Sequence, residues 1–340
     1  MDHLSTYDLL FTIQQRNLVY NYNFLYYSNK TGDSPLEFQH PDGWIYNDQG
    51  NDGEIGFDAN MNACLIKKSK DDSLMTLSQM IHEFPRWKDL LINQQISASA
   101  IIQNHITPGF EVTFSISDGV SKSTKTIVFD SNETEEISID IYISDEATKL
   151  EIAIESNTKD ATIYIHKVFA NIGKVALDTL PCMVEGFIGE RKQYISTEIP
   201  PAEELSLCQE SQELSTSYTR LSSFLNGRFG KGENDRSLLP DMRGYFSRVW
   251  DNGAKIDPDA ANRSALGKST IKGDHVGTVE EDEFKKHDHE LSFDTNGTLA
   301  PGTSTPLPVI SKTSISNTKT TGGLETRSKN ITELYTIKWA

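Results

Sequence analysis

Apolar and polar residues alternate through much of the first half of the chain. Val112, Phe114 and Ile116 stand between polar neighbours, as do Ile137, Ile139, Ile141 and Ile143, then Leu150, Ile152 and Ile154, then Ile163 and Ile165. A period of two turns one side of each segment to a core and the other to water, which predicts half-buried strands. The strands recur about every ten to twelve residues with Ser, Asp, Asn and Gly between them, so a β-sandwich is expected over 17–175. Ahead of it, Ser5 with Asp8 three residues later forms a capping-box pattern before Leu9, Leu10 and Ile13, and predicts a short helix within 1–16. That helix either pegs the chain to a larger assembly or packs on the sandwich.

The pattern changes after 175. Tyr218, Leu221, Phe224 and Leu225 have helical spacing, ended by Gly227. The Gly230, Lys231, Gly232 run that follows is no phosphate loop, because it lacks the Ser or Thr after the lysine and the strand before it. From 297 to 328 the chain is rich in Thr, Ser, Gly and Pro, a composition that fits disorder or a loop-rich surface ordered only where three chains wrap together. Ile331, Leu334, Ile337 and Trp339 then close the sequence, so the terminus is not a free polar tail.

Composition sharpens this. At 340 residues there is room for about two domains. A hydrophobic share of 36% is low for one large globule and points to a surface-rich or intertwined protein. No run of apolar residues is long enough to span a bilayer, and the start lacks a basic region followed by an apolar stretch, so neither membrane insertion nor secretion by signal peptide is expected. Cys64, Cys182 and Cys208 match no paired spacing and fit folding in a bacterial cytoplasm. The net charge of −17 argues against nucleic acid as a partner. The last forty residues run the other way: Lys312, Lys319, Arg327, Lys329 and Lys338 outnumber Glu325 and Glu333. A basic tip on an acidic body is expected, suited to phosphate-bearing glycans.

The most specific stretch lies between 237 and 290. Pro240, Asp241, Arg243, Gly244, Phe246, Arg248 and Trp250 stand at fixed offsets, followed by Gly277, Phe284, Lys285 and the triplet His287, Asp288, His289. Planar cations alternate here with large rings, an arrangement suited to a neighbouring chain's carboxylates and aromatics. Pairing of Asp241 with Arg243 inside one subunit is the competing reading. The stretch resembles the tail-collar family, the receptor-binding end of short tail fibres of phages and contractile injection particles. The segment 186–208 resembles the opening strand and proline loop of the same domain, except that Glu203, Glu204 and Leu205 stand where a tryptophan-glycine is common, so the loop is expected to have lost a packing role. The segment 323–330 also resembles fibre ends. Further upstream, 17–29 and the Pro41–Trp44 turn resemble the start of carbohydrate-binding jelly rolls, with Tyr20, Tyr22, Tyr26, Tyr27, Trp44 and Tyr46 available either as a sugar-stacking platform or as core and edge aromatics. Tyr22, Trp44 and Tyr46 are the platform residues singled out.

These likenesses imply a mainly β protein, with an N-terminal jelly roll followed over 176–340 by a loop-rich, intertwined trimeric collar domain. His287 and His289 are two apart and share a face if the strand is extended. Two imidazoles close no metal site, whereas three chains around an axis would offer six nitrogens to a transition metal, iron or zinc. The resemblance implies such an axial ion. Solvated histidines are the other reading. The function expected is a non-enzymatic homotrimeric tail fibre, made in the bacterial cytoplasm, carried on a virion or injection-particle tail beside baseplate or sheath-end proteins, and binding host surface glycan such as lipopolysaccharide. The alternatives are a structural baseplate or collar part and a polysaccharide depolymerase, the latter needing two facing carboxylates that no spacing here singles out among Asp257, Asp259, Glu280 and Glu281.

Overall fold

A computed structural model describes residues 5–28, 40–105, 109–283 and 329–340. The chain divides into a compact unit of 1–279 with 333–340, and a second unit of 280–332.

The capping box forms as the sequence predicts. Asp8 N donates to Ser5 Oγ at 3.1 Å and Ser5 N to Asp8 Oδ2 at 3.2 Å, opening helix α1 (Thr6–Ile13). Only Thr12 of this helix is buried. Tyr7, Leu10, Phe11 and Ile13 are exposed. Of the two expectations for α1, docking of one polar residue is a weak form of packing, and its apolar side chains face solvent.

The alternation becomes two antiparallel five-stranded sheets. The first contains β1 (Ile45–Asp48), β4 (Met75–Met80), β6 (Phe110–Ser117), β7 (Lys122–Phe129) and β9 (Glu151–Ser156), in the order β1-β4-β9-β6-β7. The second contains β2 (Glu54–Asp58), β3 (Ala63–Lys67), β5 (Gln95–His105), β8 (Thr134–Tyr142) and β10 (Thr162–Ile172), in the order β2-β3-β10-β5-β8. The protein is mainly β, and every alternating residue named above is buried: Val112, Phe114 and Ile116 from one sheet meet Ile137, Ile139, Ile141, Ile163 and Ile165 from the other. Burying one face of each sheet against the other is what the period of two requires. A register shift between Ile165 and Lys167 marks a bulge in β10. The entering segment runs beside this strand, with Leu18 N bonded to Ala170 O at 2.8 Å and Val168 N to Tyr22 O at 2.8 Å.

Past the sandwich, after a short antiparallel pair of β13 (Ser264–Ala265) and β14 (Thr278–Val279), the last strand, β15 (Leu334–Lys338), lies between β11 (Arg191–Tyr194) and β12 (Glu204–Ser206). The terminus is therefore a central strand, and Ile337 and Trp339 are buried. Glu204 corrects one expectation from the sequence. Its carboxylate accepts from Thr336 Oγ1 at 2.5 Å, Tyr194 Oη at 2.9 Å and Lys192 Nζ at 3.0 Å, so the acidic replacement has gained a packing role, not lost one. Burial works to raise this carboxyl, but the three donors together hold it below its usual value. A depressed folded pKa gives stability that is complete above the unfolded value of about 4.3 and disappears as pH falls through the folded one. Glu204→Gln is therefore expected to lower the melting temperature at pH 7 and to lose its effect below about pH 4, as read by thermal melts across that range.

Helix α3 (Thr219–Leu225) docks the downstream segment on the sandwich. It ends on Asn226 in the left-handed region ahead of Gly227, as its spacing predicts. Its own N-cap, Tyr218, supplies no side-chain bond. Glu83, from the turn after β4, does so instead, accepting from Thr219 N at 2.6 Å and Arg220 N at 2.9 Å. Arg220 pairs with the same carboxylate through Nε at 3.3 Å and donates from Nη2 to the Glu83 carbonyl, both side chains being almost wholly buried.

Candidate functional site

The aromatic residues near the start of the sandwich do not behave as a group. Trp44 is fully buried: its ring packs on Phe24 with centroids 5.0 Å apart, and Ser223 Oγ holds its carbonyl at 2.7 Å. With no face open to solvent, Trp44 belongs to the core and not to a sugar platform. Tyr22 is half-buried and packs against the core. Tyr46 lines a cavity of 230 Å³ with His40, Ser222, Asn226 and Arg236, and its phenol lies 3.4 Å from Asp48 Oδ2. Burial pushes the His40 imidazole down to about 4, so it is neutral there. Nor does the outer face of the first sheet offer rings: its outward positions include Thr76, Thr113, Thr126 and Glu155.

The other tyrosines converge. Tyr20, Tyr26 and Tyr27 line an open cleft of 460 Å³ together with Leu25, Phe187 and Phe224. Tyr26 and Phe187 stand edge to face at 4.8 Å and are 37% and 53% exposed, so both present ring surface at the mouth. Tyr20 lies behind them, 6.2 Å from Tyr26 by centroid, and its phenol oxygen accepts from Ile188 N at 3.2 Å. Burial raises the Tyr20 and Tyr27 phenols above their ordinary value, so both remain protonated donors.

Local hydrogen bonds fix the near wall. Asn21, held at a positive φ of 50°, accepts from Tyr26 N at 3.0 Å and donates to the Tyr26 and Asp42 carbonyls. Asp42 accepts from Ser28 N and Ser28 Oγ, both at 2.9 Å. Burial raises the Asp42 carboxyl against the pull of these bonds. The far wall depends on Gly189, which sits at φ +86°; a Cβ there would overlap the Phe224 ring. Rings, hydroxyls and a carboxylate around an open volume can stack on the apolar face of a sugar and bond its hydroxyl groups.

The collar-like residues lie elsewhere. Pro240 is buried, and the chain from 243 to 256 has no regular structure. Arg243 forks onto Asp241 of its own chain, Nε to Oδ1 at 2.9 Å and Nη2 to Oδ2 at 2.6 Å. Arg248 meets Asp257 at 3.4 Å, and Asp257 is also bound by Arg263, so that carboxylate is tied to cations. Gly244 has φ +83°. Phe246, Val249 and Ile256 are exposed, and half-exposed Trp250 donates to Asp274 O at 3.1 Å. Lys329 is exposed. His287, His289, Lys312, Lys319 and Arg327 lie outside the described residues. Among the described residues, no group of three or more His, Cys, Asp or Glu is placed to hold a metal ion, and no helix is long and apolar enough to cross a membrane.

No family model matches the chain. Protein RhiB of Rhizobium leguminosarum bv. viciae is 31% identical over 127 residues, 36% of this chain and 58% of RhiB, so the match spans little more than half of that relative. Solved structures similar in part include TmCBM61 in complex with β-1,4-galactotriose, at 14% identity and a TM-score of 0.32, covering 46% of this chain and 97% of that one. The CBM22-1 and GH10 modules of Clostridium thermocellum xylanase 10B, complexed with xylohexaose, score 0.33 at 14% identity, covering 48% and 29%. The enzymatically active domain of bacteriophage CBA120 tailspike protein 4 scores 0.30 at 12% identity, covering 38% and 19%. Likenesses at this level assign neither a ligand nor an activity to this chain.

Proposed function

We propose that this chain binds glycan through the cleft walled by Tyr20, Tyr26, Tyr27, Phe187 and Phe224, without catalysis. The observation that carries the reading is the exposed edge-to-face pair of Tyr26 and Phe187 over a cavity of 460 Å³, backed by phenols that stay protonated. Solvent-exposed rings are costly unless covered, and a sugar ring covers them with its C–H face while its hydroxyls reach Asp42 and Ser28. Binding without bond cleavage is favoured because Asp42, one of the two carboxylates of the lining, is committed to Ser28.

The finer reading is a homotrimeric tail fibre of a phage or phage-like injection particle, with a distal collar tip, an ion held by His287 and His289 of three chains, and a glycan-contacting basic terminus at Lys312, Lys319, Arg327 and Lys329. Two features favour it. The collar-like run from Pro240 to Trp250 includes exposed Phe246 and Val249 and is followed by exposed Ile256, all on an irregular segment, a surface that association would cover. The exposed apolar side chains of α1 suit attachment to a baseplate partner.

A glycan array with the full chain, repeated with Tyr26→Ala and Phe187→Ala, tests the first reading. Each substitution is expected to weaken the bound glycan about tenfold, since covering an aromatic side chain's apolar surface is worth about 1.5 kcal/mol or more. Unchanged binding by both variants refutes the cleft. A folded monomer on sedimentation, without about one transition-metal ion per three chains on elemental analysis, refutes the fibre reading and leaves the cleft standing.

A further inference from the structure

The cleft that the glycan reading rests on carries charge of one sign only. Apart from phenols, its ionisable lining groups are Asp42 and Glu190; no Lys, Arg or His is among them. The two carboxylates differ in what they are free to do. Asp42 is buried, and its oxygens accept from Ser28. Glu190 is exposed, and its carboxylate makes no hydrogen bond or ion pair among the described residues. Its backbone is nonetheless fixed, because Glu190 N donates to Phe187 O at 3.2 Å and Lys338 N to Glu190 O at 2.9 Å. A short turn thus brings a carboxylate into the same cleft lining as the more exposed ring of the Tyr26–Phe187 pair, three residues further along the chain.

Ring faces attract cations, and so does a carboxylate beside them, whereas a phosphate or uronate entering here would meet like charge with no cation in the lining. We propose that the ligand is a saccharide bearing a protonated amine, of the 2-amino-2-deoxyhexose type, with its ammonium group held between Glu190 and the rings of Tyr26 and Phe187. Selection against acidic sugars follows from the same geometry.

Calorimetric titration of the full chain with four trisaccharides tests this: the trimer of glucosamine, its fully N-acetylated form, cellotriose and trigalacturonate. The glucosamine trimer is expected to bind up to about tenfold tighter than the acetylated one, with trigalacturonate not bound, because a solvent-exposed cation–π contact and an exposed ion pair together reach about one decade in affinity. Glu190→Gln, exposed and isosteric, is expected to remove that advantage, bringing the affinities for the amine and acetylated trimers to within about twofold of each other. General attraction of cations to a chain of net charge −17 would survive Glu190→Gln and fade with salt, so a preference that persists in the variant overturns the proposal. Equal binding of amine and acetylated trimers by the wild-type chain overturns it too, while leaving the glycan reading intact. Failure of all four saccharides to bind folded protein overturns both.

Discussion

Arg220→Met is expected to destabilise the chain by about 3–5 kcal/mol, the largest effect of any single substitution considered. The side chain is 1% exposed, and its loss leaves the Glu83 carboxylate buried without its counter-charge. Burial already pushes the Glu83 carboxyl up, even with Arg220 pulling it down. The same carboxylate receives the first backbone donors of α3, so a proton or water drawn to Glu83 also loosens the helix that docks 219–225 on the sandwich. The pair is nevertheless an imperfect one. Arg220 Nη1 is buried without a hydrogen-bond partner, which costs roughly 1–3 kcal/mol. Joint replacement by Glu83→Gln and Arg220→Met is therefore expected to recover most of the lost stability, and chemical denaturation of the three variants measures it. Additive losses in the double variant would show that the two side chains act separately.

Gly189→Ala should close the cleft from behind. Two costs combine: an L-residue at φ +86° is strained by about 1–2 kcal/mol, and its Cβ overlaps the Phe224 ring. Gly189 N is bonded to Lys338 O at 2.8 Å, so the backbone has little freedom to retreat and the ring must move. Displacing Phe224 into the cavity removes volume that a sugar would occupy. Glycan binding is expected to fall below detection while the chain stays folded, its stability lowered by about 2–5 kcal/mol from strain and overpacking together, as read by thermal melts. A variant that keeps full affinity would show that Phe224 is no part of the site. Phe187→Ala supplies the comparison, since it removes a mouth ring without touching the backbone.

The collar-like segment illustrates how far composition can be read. Alternating cations and rings between Arg243 and Trp250 left two arrangements open, between chains or within one. The structure pairs Asp241 with Arg243 locally, two residues apart, since a fork so near in sequence forms with little loss of chain entropy. Phe246 and Val249 remain exposed beside it. In the opposite sense, Glu204 looked like the loss of a contact and proved to be an anchor, because its partner Thr336 is brought by a strand from the far end of the chain.

What the sequence determined by itself is what depends on neighbours along the chain. The capping box of Ser5 and Asp8, the end of α3 at Asn226 and Gly227, and the strands whose Ile and Phe residues alternate were all legible, because turn chemistry and the pleat act over two to four residues. The cleft was legible only in part. Tyr20, Tyr26 and Tyr27 stood out by composition, but Trp44 was inseparable from them until packing placed its ring against Phe24. Phe187 and Gly189 carry no periodic signal, Phe224 reads only as a helix position, and all three lie far along the chain; they reach the tyrosines only because α3 is held to the sandwich by Glu83 and Arg220, and because β15 returns between β11 and β12 to hold Gly189 and Glu190 through Lys338. Contacts closed over such separations are fixed by how the sheets and helix bury one another, which no local pattern encodes.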